Sequence, residues 1–379
     1  MTPQKLGDLA FREVSPGLPV SGTWRGYPLL FDFTGDGRAD LVASNREEDG
    51  FSAWTFDAEQ GWQLRNEGLP RGMSYGPSAA ADFDGDKIPD LALIDHQRSL
   101  RLFKNDGNMR WSELPAPGGR KPLAMDIAAG DIDGDGRADI VGIAHFNGGM
   151  QVYLNQGDGR LELHPAAASM LGDKGFGRAV ELEDLDLDGT LDIVAATENG
   201  VKAYLTRTKP SLSFEDVSAG FPRPFGGNTI YAVAVGRFST NSKRPQIAVA
   251  LVPDPGLALD QRNSLAVYAW DEAKNSWSTI DKGLVRTEFC LDVHAADFDA
   301  DGALDLLAVS FQSGVVLYRG DGSGQFEPAG RLPCKSLGRL AIGDIDGDRR
   351  PDVAMACPSP RSQVEPGGIR VFANQPAAW

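Results

Sequence analysis

Asp131-Ile132-Asp133-Gly134-Asp135-Gly136-Arg137-Ala138-Asp139 sets four carboxylates within nine residues. Nearly the same phrase, Asp-x-Asp-x-Asp-Gly-x-x-Asp, begins at Asp32, Asp82, Asp131, Asp184, Asp297 and Asp344. Carboxylates this close repel one another unless a cation lies between them. Calcium takes about 6–8 hard oxygen ligands, and a tight loop can turn positions 1, 3 and 5 toward one ion. Position 7 adds a backbone carbonyl, the glycine at position 6 permits the sharp reversal, and the Asp at position 9 closes the site from the next strand. An apolar β-type run follows at once, as in Asp40-Leu41-Val42-Ala43 and Asp139-Ile140-Val141-Gly142. The loop is therefore not the helix–loop–helix kind, which spans twelve residues and closes with Glu. A single copy would serve equally as a solvated acidic turn. Six copies at matching places read as calcium, and magnesium, which demands octahedral geometry and keeps its waters, fits less well.

The copies differ. Full sets stand at Asp82, Asp84, Asp86 and Asp90; at Asp131, Asp133, Asp135 and Asp139; at Asp184, Asp186, Asp188 and Asp192; and at Asp297, Asp299, Asp301 and Asp305. The first copy has Thr34 at position 3 beside Asp32, Asp36 and Asp40, and a weaker site is expected there. The last, Asp344, Asp346, Asp348 and Asp352, carries Arg349 where the glycine belongs, so a strained turn is expected.

Successive copies are 50, 49, 53, 113 and 47 residues apart. The long gap hides a copy at Val235–Val249, where the frame survives without carboxylates, so the repeats number seven and the fifth should bind no calcium. Two further phrases recur seven times. One is a β-type run, at Phe51–Asp57, Leu100–Asn105, Met150–Asn155, Val201–Thr206, Leu265–Trp270, Val315–Gly320 and Ile369–Asn374. The other is a strand leading toward a Gly-Leu-Pro-like turn, as in Trp62–Pro70 and Phe326–Pro333. A period of 40–50 residues with about four short strands indicates a propeller blade. The expectation is an all-β fold: a single seven-bladed β-propeller of four-stranded antiparallel blades over residues 1–379. The N-terminal strand, 9–16, should complete the last blade, 334–375, and close the ring, which also removes a sheet edge.

Ala128–Val141 and Val152–Gly159 resemble FG-GAP/VCBS-type repeats, found in integrin α-subunit propellers, some lectins and many secreted bacterial proteins. The resemblance covers essentially the whole chain. It implies the fold and calcium, with the loop between first and second strands on a calcium face. It implies no one function, because the fold hosts many.

The chain has a net charge of −16, and six bound divalent ions would bring this to about −4. Nucleic acid is an unsuitable partner on charge. Calcium sites of this kind need more free ion than resting cytosol offers, so an extracellular, periplasmic or cell-surface setting is expected, with an export signal removed. No apolar run reaches membrane-spanning length. A monomer is expected. Cys290, Cys334 and Cys357 leave open one disulfide or three buried thiols.

The connections between blades fall opposite the calcium face, and each carries a cation: Arg25, Arg71, Arg120 with Lys121, Lys174 with Arg178, Arg223, Arg286, and Lys335 with Arg339. Trp24, Tyr27, Tyr75, Phe176, Phe225, Tyr231 and Phe289 accompany them. Arg pairs with carboxylates and aromatic faces suit sugar rings, so this face is expected to take a glycan or protein ligand, acidic in character. The bland alternative is ordinary loop residues and aromatic wedges between blades. Insertions at Pro253–Asn263 and Pro358–Gly367 would stand above it. Of four histidines, His96, His145, His164 and His294, none lies in a catalytic motif. His294 and Glu181 hold equivalent first-strand positions, where an acid–base pair is conceivable and a structural role is favoured. The leading expectation is a calcium-stabilised recognition module without catalysis. A secreted carbohydrate-active enzyme of polysaccharide-lyase type, or a scaffold in a surface assembly, is the alternative. An ion held at about 100 times its dissociation constant adds about 2.7 kcal/mol per site. Excess chelator should therefore lower the melting temperature sharply, and an unchanged value would contradict calcium.

Overall fold

The computed structural model describes residues 4–6, 9–24, 27–45, 50–72, 76–95, 97–115, 125–144, 149–165, 170, 177–221, 230–251, 256, 264–285, 289–332, 339–357 and 367–376. Among them the protein is all β, with no α-helix, and its strands form seven antiparallel sheets, the blades of a β-propeller. The first blade is β3 (Leu29–Phe31), β4 (Asp40–Ser44), β5 (Phe51–Asp57) and β6 (Gly61–Leu64); the second is β7 (Ser78–Ala81), β8 (Asp90–Ile94), β9 (Leu100–Asn105) and β10 (Trp111–Glu113). The third is β11 (Asp126–Gly130), β12 (Asp139–Ile143), β13 (Met150–Asn155) and β14 (Leu161–Leu163); the fourth is β15 (Gly177–Glu183), β16 (Asp192–Thr197), β17 (Gly200–Arg207) and β18 (Ser213–Asp216). The fifth is β19 (Ile230–Gly236), β20 (Gln246–Leu251), β21 (Leu265–Asp271) and β22 (Ser276–Thr279); the sixth is β23 (Cys290–Ala296), β24 (Asp305–Ser310), β25 (Gly314–Gly320) and β26 (Phe326–Leu332).

The seventh joins β27 (Leu340–Gly343), β28 (Asp352–Cys357) and β29 (Gly368–Pro376) to β2 (Leu9–Glu13). β2 pairs antiparallel with β29 from Leu9↔Pro376 to Glu13↔Phe372, and Arg370 clamps Glu13 at 2.8 Å. The N-terminal strand thus completes the last blade, but ends at Glu13 rather than at 16. A further strand, β1 (Gln4–Leu6), pairs with β2 and gives this sheet five strands. Nothing in the repeats announces β1, because it has no counterpart in the other blades.

Each second strand is buried along nearly its whole length, as in β4, β8, β12 and β24. That burial accounts for runs such as Leu91-Ala92-Leu93-Ile94, which are apolar throughout instead of alternating. Strands covered on both faces read this way.

The chain divides into two compact units: residues 1–124, 155–162 and 332–379, and residues 125–154 and 163–331. In the first, one core gathers Trp24, Trp54, Trp62, Leu41 and Val371, and another gathers Phe33, Phe51, Phe103 and Trp111. In the second, cores form around Val267 with Phe326, Val249 with Trp277, and Ile193 with Met150. Cys290 and Cys357 are buried; Cys334 lies outside the described residues.

The Gly-Leu-Pro-like phrase is a clasp rather than a long strand. β6 stops at Leu64, and the tail beyond it docks on the fourth strand of the next blade: Trp111 donates its backbone N–H to Glu67 O (2.9 Å) and its indole Nε1–H to Arg65 O (3.1 Å). Trp62 donates likewise to Pro16 O and Val14 O, and Trp277 to Ala219 O and Val217 O. The glycine is required because the tail passes directly over the next strand. A Cβ on Gly17, Gly68, Gly220 or Gly283 would collide with the carbonyl oxygen of Trp62, Trp111, Trp277 or Phe326, and all four glycines have positive φ. Gly68→Ala should therefore cost at least about 2 kcal/mol in denaturant unfolding. Leu187, half exposed at φ 64, holds a left-handed position that disfavours side chains. Leu187→Gly should stabilise by roughly 0.5–1 kcal/mol in the same assay.

Candidate metal centres

Each acidic loop joins the first and second strands of its blade and is shaped by its own carboxylates. The position-1 Asp accepts backbone N–H groups across the turn: Asp131 Oδ1 from Gly134 (2.8 Å) and Asp135 (3.0 Å), and Asp131 Oδ2 from Gly136 (2.8 Å). Asp32, Asp82, Asp184, Asp297 and Asp344 each accept from positions 5 or 6 or both in the same way. The position-5 Asp caps the N–H of position 7, as Asp86 does for Ile88 (2.8 Å). Two left-handed residues make the turn, at positions 4 and 6, where only the second was expected. Glycine fills both in the first and third loops. Leu187 and Ala300 take position 4 elsewhere, and Lys87 and Arg349 take position 6, all at φ between 59 and 70. Arg349 thus meets the expected strain, and Lys87 shares it.

The position-9 Asp is buried and bonds two segments at once. Asp90 Oδ2 accepts from Phe83 N (3.0 Å) and Oδ1 from Asn105 N (2.9 Å) at the end of β9. Asp192 does the same for Leu185 and Thr206, Asp305 for Phe298 and Gly320, and Asp352 for Ile345 and Asn374. Burial pushes these carboxyls up, against the lowering by their backbone bonds: Asp40, Asp192 and Asp352 to about 7, and Asp90 and Asp305 to about 6. Burial and then the neighbouring carboxylates also raise Asp133, Asp299 and Asp346.

Five loops bring three carboxylates within 4.8 Å of one another: Asp82, Asp84 and Asp86; Asp131, Asp133 and Asp139; Asp184, Asp186 and Asp192; Asp297, Asp299 and Asp305; and Asp344, Asp346 and Asp348. These clusters could hold metal ions. The donor set is all oxygen, and Asp186 Oδ1 is buried with no hydrogen-bond partner, so the residues present fit a hard cation. The first loop does not gather three carboxylates in this way, and its Asp36 turns outward to Arg38 at 2.7 Å. Basic side chains border the others. Lys104 contacts Asp84 and Asp86, Arg207 contacts Asp186 and Asp188, and Arg319 contacts Asp299 at 2.6 Å.

The fifth blade is the internal control. Arg237, Ser239 and Asn241 stand in its loop, and Gln246, fully buried, replaces the position-9 Asp. Gln246 Oε1 accepts Ser239 N at 2.7 Å, the bond the aspartate makes elsewhere. The architecture survives with a neutral amide where no carboxylates cluster.

Of the residues expected on a ligand face, Trp24 is corrected to core: it is 2 % exposed, lies tilted against Trp54 at 5.7 Å and donates its indole N–H to Ser21 O. Arg178 lies 4.3 Å over the Tyr231 ring, and Arg339 lies 4.8 Å over Tyr27 while donating to its hydroxyl at 3.3 Å. In both pairs the arginine of one blade covers the tyrosine of the next. Tyr231 leads on to Phe289 at 5.4 Å and to exposed Phe311. Arg71 stands apart from these pairs, in a cleft with Arg65 and Arg110, a grouping not visible in the sequence. Arg25, Tyr75, Arg120, Lys174, Arg223, Phe225 and Arg286 lie outside the described residues, as do His96, His145 and nearly all of both insertions. His294 Nε2 lies 3.2 Å from Asp292 Oδ2. Glu181 is open to solvent yet ringed by protein; that crowding raises its carboxyl to about 7, and the charge of nearby His294 opposes the rise.

Residues 32–93, 82–142 and 297–355 match the FG-GAP-like repeat. No curated protein sequence is similar enough to count as a relative. Among solved structures, the Burkholderia pseudomallei lectin BP39L is similar at 16 % identity and TM-score 0.64, over 94 % of this chain and 98 % of that one. The Vibrio cholerae biofilm matrix protein Bap1 is similar at 13 % and 0.55, over 98 % and 92 %. BBS1N, solved in complex with ARL6DN, is similar at 12 % and 0.59, over 97 % and 98 %. At such identities the likeness shows the fold alone.

The buried carboxyls set a pH signature. Their folded values of about 6 to 7 lie above the ordinary 3.8, so the metal-free folded state keeps protons that the unfolded chain has released. Stability in chelator should therefore fall as pH rises from about 4 to about 7. Calcium should suppress that fall, because it binds the ionised form. Thermal melts across this range with and without calcium check both signs.

Proposed function

The chain is a β-propeller carrying FG-GAP-like repeats, and from that premise we propose that it is a calcium-stabilised recognition module working outside the cytosol. The observation that carries the reading is the contrast between blades. Every loop that carries the acidic phrase, the first included, has a buried aspartate as its ninth residue; the loop that lacks those carboxylates has Gln246 there. An amide needs no counter-charge, whereas buried carboxylates beside other carboxylates do. Calcium at the five gathered loops, and more weakly at Asp32, Asp36 and Asp40 with the Thr34 hydroxyl, supplies it. Ion binding then serves the scaffold and leaves recognition to other surfaces.

The seven blades act as one monomeric domain. Its ligand, a glycan or an acidic protein segment, binds at an Arg–Tyr pair between blades, Arg178 with Tyr231 in one unit or Arg339 with Tyr27 in the other. Guanidinium groups stacked on tyrosine rings offer both a cation and an aromatic edge to a sugar or carboxylate. The lectin and the biofilm matrix protein among the structural neighbours are consistent with such a role. A lyase is the second reading, favoured only by Glu181 and His294 coming within electrostatic reach of each other.

A glycan array with the calcium-loaded chain, repeated in chelator, discriminates these readings. Recognition predicts saturable, chelator-sensitive binding with no change in the sugar. Catalysis predicts new unsaturated ends absorbing in the ultraviolet. Silence in both arms would point to a protein partner.

A further inference from the structure

The tail of the first blade and the β9–β10 turn of the second enclose an open cleft of about 850 Å³. Three guanidinium groups, from Arg65, Arg71 and Arg110, line it with the carboxamides of Asn66 and Asn108. Glu67 is the one acidic lining residue, and its Oε2 lies 3.6 Å from Arg110 Nε with both side chains more than 70 % exposed. An ion pair that exposed holds little free energy and yields readily to another anion. Among the described residues neither Arg65 nor Arg71 has a carboxylate partner. Three cations against one anion make this a positive recess in a chain of net charge −16.

Both walls are held in place before any ligand arrives. Trp111 fixes the first wall through its bonds to Glu67 O and Arg65 O, and the absent Cβ of Gly68 lets that tail lie flush. In the second wall Arg110 N donates to Asp106 Oδ1 (3.2 Å), Asp106 N donates to Arg110 O, and Met109 N donates to Asn105 Oδ1 (2.9 Å). Arginines on a fixed backbone lose less freedom on binding than arginines on a mobile loop.

We infer that this cleft binds a saccharide carrying carboxylate or sulfate groups, at a site separate from the Arg–Tyr pairs. Guanidinium forks match the paired oxygens of either anion, and asparagine amides suit sugar hydroxyls. Leu64, 54 % exposed, offers one small apolar surface for a ring face. A peptide groove would offer open apolar pockets to anchoring side chains, whereas the buried aliphatic residues of this lining, Leu69 and Met109, are packed into the core at 7 % and 1 % exposure. A nucleic acid would meet an acidic protein beyond the cleft. The volume falls in the range of small-molecule sites.

The test uses the full calcium-loaded chain and titration calorimetry with oligogalacturonate, dextran sulfate oligomers and neutral dextran. The first two separate carboxylate from sulfate recognition, and dextran should not bind. Arg65→Ala and Arg110→Ala should each weaken binding about tenfold without lowering the melting temperature. Glu67→Gln should tighten it, because it removes the opposing charge. Lys243→Ala, which removes an exposed cation in the fifth blade, should change nothing. The site is overturned if neither anionic saccharide binds, if the arginine variants bind like the parent, or if Lys243→Ala loses as much. Saccharide binding that ignores all four substitutions would remove this cleft yet leave the recognition reading standing.

Discussion

The structure depends on a buried carboxylate that accepts hydrogen bonds from two strand ends at once. Asp90 ties the turn after β7 to the end of β9 across the start of β8, so three strands meet at one side chain. The tie extends between blades. Asn105 donates its side-chain amide to Phe33 O (2.7 Å), and Phe33 N in turn bonds Asp40 Oδ2. Asn155 repeats the bond to Phe83 O at 2.8 Å. In these blades the acidic loops are links in one hydrogen-bonded chain, and each link holds a charge in a place where charge is costly. The fifth blade keeps the bond from its loop, Ser239 N to Gln246 Oε1, and drops the charge.

Much of this was legible. The third strands β5, β9 and β13 coincide with the recurrent β-type runs at Phe51–Asp57, Leu100–Asn105 and Met150–Asn155, because strand 3 is apolar and bounded by turn residues in every repeat. Aspartates at odd positions could be read as convergent because a tight loop leaves few other directions for them. Less legible was what depends on neighbours far along the chain. Trp24 looked like a ligand-face aromatic because it stands beside Arg25, yet Trp54 and the core receive it. The clasp glycines looked like turn formers, and only the position of the next blade's tryptophan, or of Phe326 for Gly283, explains why they carry no side chain. The role of position 9 was half visible: its carboxylate was expected to face an ion, and its two backbone bonds come from residues 7 and 15 positions away.

The division of labour follows from these contacts. Side chains at the acidic loops hold strands together and gather carboxylates that could hold a cation, while cationic side chains on other surfaces stay accessible. Arg71 shows why the second group resists prediction. In sequence it belongs with the other inter-blade cations, but the docking of Gly68 on Trp111 turns its segment along the blade edge and gives it Arg65 and Arg110 as neighbours. Charge grouping is here a product of the clasp, and a reading based on repeat position alone assigns it elsewhere.

The pairing of β2 with β29 also governs how the protein bears load. Leu9 and Pro376 sit opposite one another at the same end of an antiparallel ladder that runs on to Glu13 and Phe372. Tension drawn between residues near the two ends would open that ladder one rung at a time, as a zipper does, instead of shearing all its hydrogen bonds together. A chain held to a surface through one end only would leave this seam unloaded. Stretched between two anchors, the seventh blade becomes the first place to yield, with the Arg370–Glu13 ion pair as its last side-chain latch.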